Sequence, residues 1–411
     1  MKFLVYEYLF GGGCIGQSFQ ADFLCEGYAM LHALIEDFKA LGHFVMTILD
    51  SRVAELNPPL RADRIIPVSD KKNLNKLLNE ACKNVDVAYI IAPELNGMLK
   101  ELVKKVEEIG AKTMNCSFKA IEETSNKINV YERLKRVGID VPETMSISVH
   151  EDIKHVKKIS REIGFPLIFK PPISAGSCGL SLVKNEEQIE GAIRKIKESC
   201  SEDTFLVQEF IRGSPASISL ICDGERVLPL TLNAQLIKLA PPEASSSYEG
   251  GIVPYDHPLS GEAMRVAEKT IKCFTGLRGY VGVDMVLAEN GPFVIEINPR
   301  LTTPYIGARK VLNFNVADAL LQSVFTRKLP EEVRTLGYVF FFKVRLKCLK
   351  GEDLCGAYVF EDIFFPPLPT ASGGSCALIL SFSKDLRSAM LKAYKYKESL
   401  TEAFGACDEV D

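Results

Sequence analysis

The sequence predicts an α/β protein in which a parallel-sheet domain precedes regions of α+β character. Three observations predict it. Strand-like and helix-like segments alternate through about the first 115 residues, two β-rich runs meet at a turn near Asn290, and from about residue 331 the pattern changes to strands closed by a helix. With 411 residues the chain is too long for one simple core and divides into two to four domains or subdomains.

Residues 2–9 run apolar and read as a strand that ends in Gly11-Gly12-Gly13. Leu24, Leu31, Leu34, Ile35, Phe38 and Leu41 then recur at helical spacing until Gly42 stops them. Phe44 to Leu49 form a second strand that ends in Asp50. Val85 to Ala92, almost wholly apolar, fits a strand buried on both faces and ends in Pro93-Glu94 before a helix near 97–109. Ligands of such sheets sit beyond the carboxyl ends of the strands. Glu7, Gly11, Gly12, Gly13, Asp50 and Glu94 are therefore candidates for lining a substrate site. The triple glycine lacks the G-x-G-x-x-G spacing and the Lys-Ser/Thr of a P-loop, so it reads either as close backbone approach to a substrate or as a plain turn.

Residues 117–138 and 151–163 read as helices, Phe165 to Lys170 as a strand, and Ile173 to Gly179 as a small-residue loop. A strand at Leu180 to Val183, a helix over 186–199 and a strand from Thr204 to Glu209 follow. Strands near 217–222 and 227–232 lead into a polar loop over 241–257, long enough to be functional. Helices are expected at 260–275 and 315–326. Beyond 331, strands at Gly337 to Val344 and Ala377 to Phe382 precede a helix with Ser383 as its N-cap.

Composition excludes several classes. Lys plus Arg number 49 against 53 Asp plus Glu, which calls for neither nucleic acid nor an anionic membrane as partner. Glu7 interrupts the opening apolar run, so it is no signal peptide, and no apolar stretch is long enough for a membrane helix. The twelve cysteines are scattered singly, without a C-x-x-C pair, and read as reduced thiols of a cytoplasmic protein. Of the five histidines only His257 lies near a candidate site loop.

The most informative stretch is Val281 to Arg300. Asn290-Gly291 is a turn signal between two β-rich runs. For Val283, Met285 and Leu287 to share a buried face with Phe293, Ile295 and Ile297, the turn must be the three-residue loop Glu289-Asn290-Gly291, with Gly291 left-handed. The opposite face then carries Asp284 across from Glu296, with Asn298 two residues on. Facing carboxylates repel, and a hard cation resolves the repulsion. An all-oxygen set of Asp284, Glu296 and Asn298 suits Mg²⁺ (or Mn²⁺), which fills its remaining positions with phosphate oxygens or water. Arg300, just past the strand, adds a planar fork of donors suited to phosphate.

Glu296-Ile297-Asn298-Pro299-Arg300 following Asp284 resembles the metal site of the ATP-grasp superfamily, and four further segments in order support the likeness. Ser125-Asn126-Lys127, with Gly138 to Thr144 after it, is similar to that superfamily's first lysine helix and following strand. Gly164 to Pro171, containing Lys170, resembles its nucleotide-lysine strand. Ser174-Ala175-Gly176-Ser177-Cys178-Gly179 is like its mobile glycine-rich flap, and Leu206 to Gly213 like its adenine-binding hinge. The likeness covers roughly residues 115–325. It implies an ATP-grasp fold with a Rossmann-like pre-ATP-grasp domain at 1–115 and an ATP-grasp domain at 116–330. The latter would divide into a lid subdomain over about 120–205 and a metal-site subdomain over about 206–330. Residues 331–411 would form a C-terminal α+β segment.

The resemblance also implies site roles. ATP would be held by Lys127, Lys170, Ser174, Gly176, Ser177, Gly179 and the hinge Gln208, Glu209, Phe210 and Ile211, the hinge acting through its backbone. Lys170 and Arg300 would stabilise phosphoryl charge. Where many members carry a ribose-binding carboxylate this chain has Ser214-Pro215-Ala216-Ser217, so no ribose ligand is assigned. The implied chemistry is amide formation from small-molecule carboxylic acid and amine substrates through an acyl phosphate, with ATP converted to ADP and phosphate. Val5-Tyr6-Glu7-Tyr8, Gly11-Gly12-Gly13 and Glu26-Gly27 ahead of Met30-Leu31 look like the branch related to tyramine–glutamate ligases of methanofuran biosynthesis. That branch implies glutamate or another amino acid and an amine such as tyramine as substrates, in cofactor biosynthesis. The segment after about 331 is extra to its compact members and has two roles open to it, reshaping the amine site or mediating a homodimer. The motifs describe ATP handling, so a carboxylase or phosphotransferase, or a nucleotide-binding protein without turnover, stands as the alternative.

Overall fold

In the computed structural model, residues 1–17, 21–54, 60–174, 176–200, 202–347, 368–369 and 374–405 are described, and they build three sheets. The first is parallel, in the order β3-β2-β1-β4-β5, from β1 (Lys2–Glu7), β2 (Phe44–Asp50), β3 (Arg64–Val68), β4 (Val87–Ile91) and β5 (Lys112–Thr113). Central β1 and β4 are apolar along almost their whole length because both faces are covered. Helix α1 (Ala21–Ala40) lays Leu24, Leu31, Leu34, Ile35 and Phe38 onto the sheet, all buried as their spacing predicts. The sequence pattern does not reveal β3 or the helix Lys71–Lys83. β3 is a half-exposed edge carrying Arg64 and Pro67, so it lacks a buried strand's apolar run.

The second sheet, β6-β9-β7-β8, comprises β6 (Thr144–Ser148), β7 (Leu167–Lys170), β8 (Ser181–Val183) and β9 (Thr204–Glu209). Helices Ile153–Ile163 and Ile189–Ser199 cover it, closing a core of Val156, Leu167, Phe169, Ile189, Ile196 and Phe205. The helix expected over 117–138 is two helices, α2 (Phe118–Ser125) and α3 (Lys127–Arg136). Asn126 adopts extended angles between them and caps α3, its side-chain oxygen accepting from the Ile128 N–H at 3.0 Å.

The third sheet is antiparallel with eight strands, in the order β14-β13-β10-β11-β12-β15-β17-β16. Its strands are β10 (Ser214–Cys222), β11 (Val227–Lys238), β12 (Ser247–Val253), β13 (Gly279–Ala288), β14 (Gly291–Asn298), β15 (Tyr338–Lys347), β16 (Leu368–Pro369) and β17 (Gly374–Ser383). Two expectations change here. Part of the polar loop over 241–257 is strand β12, whose Gly250 and Gly251 weaken its sequence signal yet pair with Phe342 and Phe341. The strands after 331 do not stand apart, because β15 and β17 continue the same sheet. Residues 348–367 of that segment lie outside the described residues.

Phe341, Leu378 and Leu380 face the core shared with α1 and with α4 (Tyr305–Val311), a short helix that the sequence pattern does not single out. On the other face α5 (Leu386–Phe404) packs Ala389, Ala393 and Leu400 against Phe340, Phe342 and Val344. The N-cap of α5 is Asp385 rather than Ser383, and it accepts from the Ser388 N–H at 2.8 Å.

Candidate active site

The β13–β14 hairpin brings the carboxylates together as expected, by a different route. Asp284 pairs with Glu296 and Gly282 with Asn298. The turn, however, is the two residues Glu289-Asn290, with Ala288 paired to Gly291, and not a three-residue loop. Left alone, that turn would put the hairpin out of phase with its base. Ile295, unpaired on β14 between Val294 and Glu296, forms a β-bulge that restores the phase. The buried face is therefore Val283, Met285 and Leu287 with Val294 and Ile297, while Phe293 and Ile295 are only half-buried. Gly291 keeps its positive φ of 128° just past the turn.

Around the carboxylates stands a polar cluster drawn from β6, β7, β9, β11, α3 and the glycine-rich loop. Asp284 accepts from Asn298 Nδ2 at 3.1 Å and from Gln235 Nε2 on β11 at 3.1 Å. Lys127 Nζ lies 3.0 Å from Glu296 and donates to the Ser174 carbonyl at 3.1 Å, so one ammonium joins the hairpin to the start of the glycine-rich loop. Lys170, 3% exposed, donates to Gln208 Oε1 at 2.8 Å, and Gln208 in turn donates to Thr144 Oγ1 at 2.8 Å. The Gln208 side chain thus orients Lys170, although only its backbone carries an expectation from the sequence. Gly176, Ser177 and Gly179 take positive φ angles, and Ala175 lies outside the described residues. Glu209 accepts from the Glu143 N–H at 3.2 Å, and Phe210 and Ile211 follow it half-buried.

Electrostatics follow from this crowding. Burial drives the Asp284 carboxyl far above the usual carboxylate range, and the charge of Glu296 adds to it. Burial would raise Glu296 as well, but Lys127 and Lys170 outweigh it and hold this group down at about 2. Lys170 is lowered to about 8, first by burial and then by Lys127. Two opposed carboxylates and an amide oxygen, one carboxylate disfavoured as an anion, fit a hard divalent cation that would pair with that charge.

The remaining candidates divide. Arg300 Nε pairs with Glu94 at 2.8 Å, which joins the exit of β14 to the carboxyl end of β4. Glu7, buried at the end of β1, accepts from the Phe10 N–H at 2.7 Å, and burial raises its carboxyl to about 7. Gly11, Gly12 and Gly13 lie in a tight buried turn whose space is taken by neighbours. A Cβ at Gly11 would stand 2.1 Å from the Tyr6 ring and one at Gly13 2.6 Å from Tyr8, so packing alone accounts for both. Asp50 is held by Arg52 at 2.6 Å, and His257 Nδ1 accepts from the Leu259 N–H at 3.2 Å, both local roles. Gln235 and Thr144 are additional polar contacts of the cluster that sequence reading misses. Nothing in their own segments marks them, since each acts on a partner at least 49 residues away. Among the described residues no helix is long and apolar enough to cross a membrane.

Comparison with known proteins bears on family and fold. The ATP-grasp domain family matches residues 124–304, and the pre ATP-grasp 3 domain family matches residues 43–121. Tyramine–L-glutamate ligase of Methanocaldococcus jannaschii is 28% identical over 333 residues, covering 80% of this chain and 92% of that protein. Biotin carboxylase of Campylobacter jejuni, solved with β-γ-ATP, superposes with a TM-score of 0.72 at 15% identity, over 95% of this chain and 89% of that one. The L-amino acid ligase of Bacillus licheniformis gives a TM-score of 0.66 at 16% identity, over 97% of both chains. At these identities the two solved structures speak for the fold alone.

Proposed function

The chain belongs to the ATP-grasp superfamily, as an ATP-dependent carboxylate–amine ligase, and we propose that it joins L-glutamate or another amino acid to an amine such as tyramine in the cytoplasmic synthesis of a cofactor. The observation that carries the reading is the Lys127 bridge between Glu296 and the Ser174 carbonyl, which gathers hairpin and glycine-rich loop at one place. Asp284, Glu296 and Asn298 would hold Mg²⁺ (or Mn²⁺), which when bound neutralises charge on the phosphates. Lys127 and Lys170 supply point charges to phosphate oxygens, and a bound polyphosphate favours the ammonium form that burial of Lys170 opposes. Gly176, Ser177 and Gly179 close over the phosphates, and the hinge Gln208 to Ile211 takes the adenine edge. Arg300, steadied by Glu94, faces the phosphoryl group in transfer.

In this scheme the substrate carboxylate attacks the γ-phosphorus, releasing ADP and leaving an acyl phosphate. The amine nitrogen then attacks the acyl carbon, loses a proton and expels phosphate. Glu7 and the glycine turn border the acceptor side. Of the two roles open to the C-terminal strands, shaping the substrate site is supported by their continuity with the sheet that carries Asp284. A screen of amino acids crossed with amines, glutamate and tyramine among them, tests the reading. ADP and phosphate are expected only when both an acid and an amine are present. Release driven by bicarbonate alone, or formation of AMP, would overturn it.

A further inference from the structure

Lys343 of β15 is a buried cation for which the acyl-phosphate scheme has no use. Its side chain is 3% exposed, and its ammonium lies 2.7 Å from Glu26 Oε1 on α1. The second Glu26 oxygen accepts from the hydroxyl of Thr303, three residues beyond Arg300. The next residue of α1, Gly27, abuts another site candidate: a Cβ there would stand 2.9 Å from Glu7 Oε1. Beside the pair, the Lys343 ammonium lies 5.9 Å from the centre of the Tyr248 ring. The Tyr248 hydroxyl is buried and has no hydrogen-bond partner among the described residues. Its ionisation is opposed first by burial, then by the negative charges of Glu26 and Asp284, so it stands within electrostatic reach of both.

Burying the Lys343 ammonium against a partly exposed Glu26 can cost more desolvation than their attraction restores, and an apolar pair often tethers two elements as well. A buried hydroxyl without a partner adds a second penalty. Both features have a use if something with matching charges enters.

We infer that Lys343, Glu26 and Tyr248 form the subsite for the zwitterionic end of an amino-acid substrate, a reading that rests on the ligase function proposed above. The α-carboxylate takes Lys343 and the Tyr248 hydroxyl, and the α-ammonium takes Glu26. One internal ion pair is exchanged for two external ones with no change in net charge. An acid lacking either group leaves a buried charge without its partner, so the subsite discriminates as well as binds.

The test compares three acids, each with tyramine as amine: glutamate, 4-aminobutyrate (no α-carboxylate) and glutarate (no α-ammonium). The wild-type enzyme is expected to prefer glutamate over either analogue by about 100-fold in kcat/KM. Lys343→Met should collapse the preference over 4-aminobutyrate while keeping that over glutarate, and Glu26→Gln should do the reverse. Tyr248→Phe removes one oxygen that has no hydrogen-bond partner among the described residues. It carries the test if the charge variants do not fold, and should narrow the glutamate to 4-aminobutyrate ratio about tenfold. Variants that depress all three acids by one factor would make the pair a tether and overturn the subsite alone. A wild-type enzyme that turns over none of the acids with tyramine would overturn the glutamate and tyramine assignment on which the subsite rests, and the subsite with it.

Discussion

At the scale of single residues, the site is a place where burial and charge are set against each other. Glu296 and Asp284 share one environment but are driven in opposite directions, because only Glu296 has Lys127 against it. At Glu7 burial outweighs the backbone hydrogen bonds from Phe10 and Leu9 that pull the other way, and its carboxyl rises to about 7. The folded protein then holds a proton that the unfolded chain has already lost. Stability from this group is therefore complete below the ordinary glutamate range and falls as pH rises through about 7, by about 3 kcal/mol in all. Glu7→Gln can still accept from the Phe10 N–H and carries no charge to lose. Its melting temperature should gain on wild type between pH 5 and pH 8, and parallel melting curves across that range would contradict the assignment.

The same scale shows what the sequence could reveal of the site. Asp284, Glu296 and Asn298 are legible because strand alternation puts them on one face within a single hairpin. Lys127 and Lys170 are legible only through their resemblance to known motifs. Gln235 and Thr144 are not legible at all. They reach the cluster through neighbouring strands of the sheets, relations that no local pattern encodes.

Among elements, α1 does more than cover the parallel sheet. From its C-terminal half Asp37 accepts from Tyr305 Oη at 2.5 Å and from Arg309 Nε at 2.8 Å, both on α4. Helix α4 begins five residues after Arg300, so this buried cluster fixes the segment that leaves the hairpin. Asp37→Ala would strand Arg309 in the interior and should cost about 3–5 kcal/mol, read from urea unfolding followed by circular dichroism. A loss below about 1 kcal/mol would mean that Arg309 finds water or another partner.

The elements legible in sequence are those with strong periodicity and a full apolar face, such as α1, β1 and β4. Those that escape are explained by their surroundings. β3 is a charged edge, β12 carries two glycines where Phe341 and Phe342 pass close by, and α4 is two turns long. The phase of the hairpin escapes because a bulge can sit anywhere along it. Counting residues back from the turn then gives the right carboxylate pair for the wrong reason.

For the whole molecule, the C-terminal strands decide how far the main sheet extends. β15 pairs with β12, β17 packs against α1, and Phe341, Leu378 and Leu380 complete the core that α1 and α4 share. Each such side chain contributes about 2–3 kcal/mol of burial. A chain ending at residue 330 would leave the β12 edge and the inner side of α1 bare. It is expected to aggregate, with little protein eluting as a discrete species in size-exclusion chromatography. A soluble shortened protein that still binds ATP would show that the strands are an accessory layer.

The bulge at Ile295 makes the hairpin behave like a text with two compensating frameshifts. The tip reads in one frame and the base in another, and a single unpaired residue separates them. The carboxylates take their positions from the base, where β13 is held by β10, and owe nothing to the length of the loop above. Sequence drift or grafting at Glu289-Asn290 can therefore rewrite the tip while the Asp284–Glu296 pair keeps its place. Were Ile295 drawn into the ladder instead, it would take the place across from Asp284 and push Glu296 one position on, to the opposite face.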